Sequence, residues 1–291
     1  MTTRISDADL ILNSDGSIYH LNLLPEDVSD TIITVGDPER VSEVSKYFDS
    51  IEIKKGKREF ITHTGYLGNK RITVISTGIG TDNIDIVLNE IDALVNIDFL
   101  TRSVKEELTI LKIIRIGTSG SIQKDIPMGT ILASSFGLGL DALMRYYNQN
   151  STLKELEILE AFKKHSLEIS DLNPYLTKAD EELMATVGKD LTTGITVTAP
   201  GFYAPQGRKV RAVNSISNLI PMLNSFQYGD VRLTNLEMET AGIYSLSRIF
   251  GHQALSINAI LASRVNFEFS KDSSKVIEQA IKLVLGRLVS V

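Results

Sequence analysis

The chain contains no cysteine and no tryptophan, and only four histidines and seven prolines among its 291 residues. Without cysteine there is no disulfide framework, no thiol nucleophile, no Cys-ligated zinc and no iron–sulfur cluster. The histidines, His20, His63, His165 and His252, show no metal-binding spacing of the HExxH type, so a zinc centre is not expected. The chain also lacks a basic surplus. Thirty Lys and Arg face 36 Asp and Glu, for a net charge of −6. Nucleic-acid binders draw most of their non-specific affinity from phosphate neutralisation, so a nucleic-acid partner is not expected. No window approaches the ~18 consecutive apolar residues of a membrane span. The opening MTTRISDADLILNSDG has no basic stretch followed by an apolar one, so neither a signal peptide nor a membrane partner is expected and the cytoplasm is the default.

What is present is ordinary globular material, 43% hydrophobic and 23% charged, enough to bury a large core. No internal repeat and no Pro/Gly/Ser-rich linker divides it. Apolar runs alternate with helical patterns, which reads as an α/β chain. Strands are expected at Thr31–Val35, Arg58–Leu67, Arg71–Thr77, Leu111–Ile116, Gly129–Ser135, Ile195–Ala199 and Ala254–Ala262. Helices are expected from Pro38, from an Asp82 cap, over Met238–Phe250 and over Lys275–Leu288. Residues 98–110 read as a helical or loop insertion, and 141–190 as polar and mostly helical.

Three strand ends carry chemistry, because loop amides and helix N-termini converge at such ends. In Gly36-Asp37-Pro38-Glu39-Arg40, glycine permits close approach of an anion, a new helix offers free N–H groups, and Arg40 adds a bidentate donor. A plain turn with a surface arginine fits the same residues. In Arg115-Ile116-Gly117-Thr118-Ser119-Gly120, an arginine sits in an otherwise apolar strand beside a hydroxyl-bearing turn. A buried guanidinium needs a partner, either an anionic ligand or a structural carboxylate. In Asn235-Leu236-Glu237-Met238-Glu239-Thr240, strand alternation would turn the two carboxylates to opposite faces, one toward a ligand and one toward the loop. Helix-start acids that satisfy the dipole would look the same. Ser119 lacks a GxSxG setting, and Gly78-Ile79-Gly80 is not completed to GxGxxG, so a hydrolase elbow and a dinucleotide site are disfavoured.

Taken in order, GDPER at 36–40, REF at 58–60, STGIG at 76–80, RIGTSG at 115–120, FYAPQGR at 202–208 and NLEMET at 235–240 resemble the nucleoside phosphorylase family, its uridine phosphorylase branch most closely. The resemblance runs from about His20 to the C-terminal helix. It implies a single domain over residues 1–291, with a three-layer fold whose central mixed sheet is flanked by helices. It implies phosphorolysis of a pyrimidine nucleoside, uridine plus phosphate giving uracil and ribose 1-phosphate. By resemblance, phosphate would meet Gly36, Arg40, Arg115 and Thr118, with Arg58 entering from a neighbouring subunit. Ribose would meet Met238 and Glu239, with His20 supplied by the neighbour. The base would meet Ser119, Gly120, Phe202, Gln206 and Arg208, with Arg264 on a mobile loop beside it. Arg115, Glu239 and Arg264 would carry the catalysis. No organic cofactor is implied; inorganic phosphate is the co-substrate.

Family members also place a potassium ion between paired subunits, and Glu59, Ile79 and Asn83 match that place, with Asn83 where Ser is usual. The partners implied are the nucleoside, phosphate and further copies of the chain, as a homodimer or trimer of dimers. The middle of FYAPQGR departs from the common pattern. Ala262-Ser263-Arg264 lacks the Asp with which purine-cleaving relatives protonate their base, which favours a pyrimidine. A purine nucleoside phosphorylase, a hydrolytic nucleosidase and a non-catalytic nucleoside-binding protein on the same fold are the alternatives.

Overall fold

The computed structural model describes residues 4–290. The first half runs β1 (Thr31–Val35), α1 (Pro38–Ser45), β2 (Ser50–Lys57), β3 (Phe60–Leu67), β4 (Lys70–Ser76), α2 (Thr81–Asn96), the short strands β5 (Ile97–Asp98) and β6 (Ser103–Val104), β7 (Lys112–Ser121) and β8 (Ile131–Gly139). The second half runs α3 (Leu153–His165), β9 (Tyr175–Lys178), α4 (Glu181–Thr186), β10 (Thr192–Thr198), α5 (Leu219–Ser225), β11 (Gln227–Tyr228), β12 (Val231–Glu237), α6 (Thr240–Phe250), β13 (Gln253–Ser263), β14 (Glu268–Phe269) and α7 (Ser273–Val289).

The main sheet is ordered β11-β12-β10-β8-β13-β7-β1-β4-β3-β2 and is mixed. β1 lies parallel to β4 and β7, and β13 runs parallel to β7 but antiparallel to β8. Ile32, Ile33 and Val35 are all fully buried, because β1 is covered on both faces. Helices supply the cover. Ile84, Val87, Leu88, Ile91 and Leu94 form the buried stripe of α2, as their spacing predicts, and each such side chain contributes about 1.5–3 kcal/mol of burial. β2, at the sheet edge, alternates exposed and half-buried residues and carries Lys54, Lys55 and Lys57, which discourage further pairing.

An extra contact closes part of this sheet on itself. Asn235 and Leu236 of β12 pair antiparallel with Ser121 and Gly120 of β7. Strands β7, β13, β8, β10 and β12 therefore form a closed ring. Nothing in the strand patterns announces that closure, since it rests on two residue pairs.

Several boundaries differ from expectation. β7 does not stop at Ile116 but continues through Gly117-Thr118-Ser119-Gly120, because β13 supplies parallel partners along this stretch. Those residues are strand, not a turn. Arg58 is not in a strand. It occupies the β2–β3 turn with φ +57°, the left-handed region. The cap of α2 is Gly80 at φ +94°, ahead of Asp82, and that of α6 is Glu239, so Met238 precedes the helix. β8 is shifted to Ile131–Gly139. Residues 98–110 carry the second half of the small β5–β6 hairpin. Within 141–190, β9 is added to the helices and pairs with β8. β2 escaped detection because its polar alternation resembles a surface loop. Among the described residues no helix is long and apolar enough to cross a membrane.

Candidate active site

The C-terminal ends of β1, β4, β7 and β12 meet the starts of α1, α2 and α6 around a cleft of about 730 Å³. Gly36, Arg40, Arg115 and Thr118 line one region of it. The first amide of α1 is not free, contrary to expectation, because the Asp37 carboxylate accepts the Glu39 N–H at 3.0 Å. The anion-binding capacity here rests on side chains. Arg40 is half-buried, and its Nε is sealed from solvent with no partner among the described residues. Burial lowers its pKa, Asp37 opposes that, and nearby Arg115 adds to the lowering.

Arg115 is 5% exposed and folds back along its own strand. Gly117 makes this fit: a Cβ there would lie 1.6 Å from the Arg115 guanidinium. That guanidinium donates to Glu239 Oε2 at 2.5 Å, lies 3.1 Å from Glu237 Oε2, and donates to Asn258 Oδ1 at 3.2 Å. Burial opposes its charge, but Glu237 and Glu239 outweigh burial and raise its pKa. A structural ion pair and an arginine facing the cleft are thus both realised in one residue.

The two carboxylates do not face opposite ways. Alternation fails because β12 ends at Glu237 and the chain turns into α6 at Glu239. Glu237 holds the turn, accepting from Glu239 N at 2.9 Å, Thr240 N at 3.0 Å and Thr198 Oγ1 at 2.6 Å. Glu239 accepts from Gly80 N at 2.8 Å, which ties the start of α2 to the start of α6. Burial raises the Glu239 carboxyl pKa, Arg115 pulls it back, and Glu237 pushes it up. Met238 lines the cleft between them.

The other end is built by residues 202–208. A single 3-10 turn, Ala204–Gln206, ends at Gly207 with φ +68°, which lets Arg208 return toward Phe202. The Arg208 guanidinium lies 3.6 Å from the Phe202 ring centroid and donates to Phe202 O at 2.6 Å and Gln206 Oε1 at 2.7 Å. Burial, together with Arg264, pulls the Arg208 pKa down to about 10. With its oxygen engaged, Gln206 keeps its amide N–H groups as donors. Ser119, Gly120 and Phe269 complete this wall, and Phe269 is a member that its sequence setting gave no reason to choose. Arg264 packs over Gly120, whose missing Cβ would lie 3.1 Å from Arg264 Cδ, and donates to Gln206 O at 3.0 Å.

Three further positions gather at the cleft edge. Glu59, Ile79 and Asn83 all line it around the Gly78 turn. Gly78 has φ +70°, and a Cβ there would lie 2.3 Å from the Asn83 amide nitrogen and 3.0 Å from Glu59 Cγ. Three predicted residues stand apart: His20, Arg58 and Arg264 are not among the residues that line the cleft of their own chain, Arg264 touching that wall through Gly120 and Gln206. His20 is held by Glu90, which accepts from its backbone N at 3.0 Å and lies 2.6 Å from its ring Nδ1.

Comparison with known proteins agrees with this architecture. The chain is 28% identical to a uridine phosphorylase of Thermococcus kodakarensis over 98% of its own length and 92% of the relative's. It is 25% identical to a DeoD-type purine nucleoside phosphorylase of Buchnera aphidicola, over 92% and 98% of the two chains. It superposes with a TM-score of 0.89 on the crystal structure of a Trypanosoma brucei nucleoside phosphorylase described as showing uridine phosphorylase activity, at 30% identity, covering 97% of this chain and all of that one. The sequence profile of the Phosphorylase superfamily matches residues 30–290, and the chain belongs to that family.

Proposed function

We propose that this protein cleaves uridine with inorganic phosphate, giving uracil and ribose 1-phosphate. The observation that carries the reading is Arg40, a half-buried guanidinium with no partner at Nε among the described residues, beside a carboxylate-held Arg115 in the cleft. An oxyanion placed between them would relieve an uncompensated buried charge. The relatives named uridine phosphorylase support the choice of nucleoside.

The reaction follows from this arrangement. A phosphate oxygen attacks C1′, the C1′–N1 bond breaks, and its electron pair leaves on the uracil ring, which takes up a proton. The sugar passes through oxocarbenium character. Arg40 and Arg115 hold the phosphate on one side, with Gly36 and Thr118, and proximity and electrostatics supply most of the acceleration. Glu239 accepts from ribose hydroxyls beside Met238 and favours the positive ring. Gln206, Arg208 and Arg264 donate to the departing base, while Phe202, Ser119 and Gly120 shape its slot. No nucleophilic side chain is required.

The purine alternative has relatives on its side. Against it, no carboxylate stands among Ser119, Gly120, Phe202, Gln206, Arg208 and Ala262, so nothing there would protonate a purine. His20 and Arg58 belong in this reading to a second copy's cleft, in a homodimer or trimer of dimers of single-domain chains in the cytoplasm. Glu59, Ile79 and Asn83 line the cleft edge around the Gly78 turn, and in this reading their carboxylate, carbonyl and amide oxygens would be the hard donors offered to a potassium ion. Such an ion would offset carboxylate charge at the seam between subunits.

Phosphorus and proton NMR of a uridine–phosphate reaction together test the assignment. Ribose 1-phosphate appearing with uracil in equal amounts is the expected result. Free ribose would identify a hydrolase, and unchanged uridine would remove the enzymatic reading.

A further inference from the structure

A chain of buried hydrogen bonds runs round the closed ring of strands and joins the two ends of the cleft. Arg115 on β7 donates to Asn258 Oδ1 on β13 at 3.2 Å. Asn258 Nδ2 donates to Ser134 Oγ on β8 at 3.0 Å. Ser134 Oγ lies 2.5 Å from Thr196 Oγ1 on β10. Thr196 donates to Asn235 Oδ1 on β12 at 2.9 Å, and Asn235 Nδ2 donates to Ser119 Oγ at 2.9 Å, back on β7. Asn258, Ser134, Thr196 and Asn235 are all 0% exposed, so no solvent reaches these bonds to reset them.

The direction of every bond follows from the first. A guanidinium has donors and no acceptor, so the Asn258 oxygen must face Arg115. Its amide hydrogens then go to Ser134 and to Ser256 Oγ, 3.1 Å away. Ser134 accepts from Asn258, and its own hydrogen has Thr196 Oγ1 as its acceptor among the hydrogen bonds of the described residues, so Ser134 donates in the 2.5 Å pair and Thr196 passes its one hydrogen to Asn235 Oδ1. Thr234 Oγ1 lies 2.8 Å from Asn235 Oδ1 and 3.1 Å from Ile195 O, and its one hydrogen goes to the nearer of the two in this arrangement. At the end, Ser119 Oγ accepts from Asn235. Its own hydrogen has no acceptor among the hydrogen bonds of the described residues, and Ser119 is one of the residues that line the cleft.

We propose that Asn235, held by this one-way chain from Arg115, is a positioning residue that makes Ser119 a hydrogen-bond donor into the nucleoside pocket. The pocket then selects a ligand acceptor, such as a carbonyl or hydroxyl oxygen, at that spot and rejects a donor, since a donor facing a donor leaves both unpaired. The inference rests on the nucleoside reading of the cleft, but its logic concerns bond direction and is separable from turnover.

The test exchanges one atom. Asn235→Asp is nearly isosteric and, assayed at a pH where its carboxyl is ionised, only accepts, so Ser119 must turn its hydrogen away from the cleft. Asn235→Asp is expected to lower kcat/KM for uridine about tenfold, and to weaken uracil binding measured by calorimetry by a similar factor. In the Ser119→Ala background the same substitution is expected to change neither. Thr196→Val, which removes one donor to Asn235, should give a smaller loss with the same dependence on Ser119. It decides the matter if Asn235→Asp does not fold. A full-sized loss in the Ser119→Ala background, or no loss with Ser119 present, overturns the proposal. A parent protein that binds uracil but does not cleave uridine would sink the phosphorolysis reading alone, and the calorimetric cycle would still decide this one.

Discussion

Arg115 donates to Glu239 across 2.5 Å, so the guanidinium expected to hold phosphate is also charge-paired within its own chain. Glu237, 3.1 Å away, shares it. The arginine is therefore a structural cation as well as a ligand group. Arg115→Ala would leave two buried carboxylates without a counter-charge. A stability loss of about 3–5 kcal/mol in urea unfolding is expected, together with loss of activity. A variant as stable as the parent would show that the pair does not anchor the α2 and α6 starts.

Arg40 behaves in the opposite way. Its charge is half-buried and its Nε unpartnered, so removing it relieves a cost in the absence of phosphate. Arg40→Ala should leave the phosphate-free Tm unchanged or higher. Phosphate should raise the Tm of the parent protein by binding the native state, and this rise should vanish in the variant. A normal phosphate-induced shift in Arg40→Ala would place the anion elsewhere.

His20 and Arg58 lie outside their own chain's cleft, which predicts an active site completed by a second copy. Arg58→Ala and Glu239→Ala are each expected to be inactive. Co-refolded mixtures should regain part of the parent activity, because a mixed pair assembles one intact site. Hetero-oligomers that form, shown by mass, yet stay inactive would refute the shared site.

Among the described residues, the base end formed by Ser119, Gly120, Phe202, Gln206 and Arg208 carries donors and no carboxylate. Gln206 presents N–H groups once Arg208 has taken its oxygen, and these match the oxygen-rich edge of uracil. Uridine is expected to exceed inosine and adenosine by at least about two orders of magnitude in kcat/KM, or ~3 kcal/mol. Comparable values for uridine and inosine would overturn the pyrimidine choice and leave phosphorolysis standing.

Much of this was legible in the residues. The Ile- and Val-rich β1, the helical stripe of α2, and an arginine inside an apolar strand all follow from local pattern, since period and burial are properties of short windows. What was not legible depends on distant pairing. Pairing with β13 carries β7 through Gly117–Gly120, the two-pair contact of β12 with β7 closes the ring, and Glu237 and Glu239 meet on one arginine. Alternation misleads at Glu239 because the strand has ended. Asn258 carried the same signal as Arg115, a polar residue inside the apolar run Ala254–Ala262, and went unremarked. Phe269 had no signal, because an exposed phenylalanine on a short strand says nothing of the cleft it rims.

The initial rate of uridine cleavage as a function of phosphate concentration tests the central claim most directly. The account predicts no cleavage without phosphate, a saturable rise with it, and collapse of that rise in Arg40→Ala. Cleavage at the same rate with phosphate removed would contradict it.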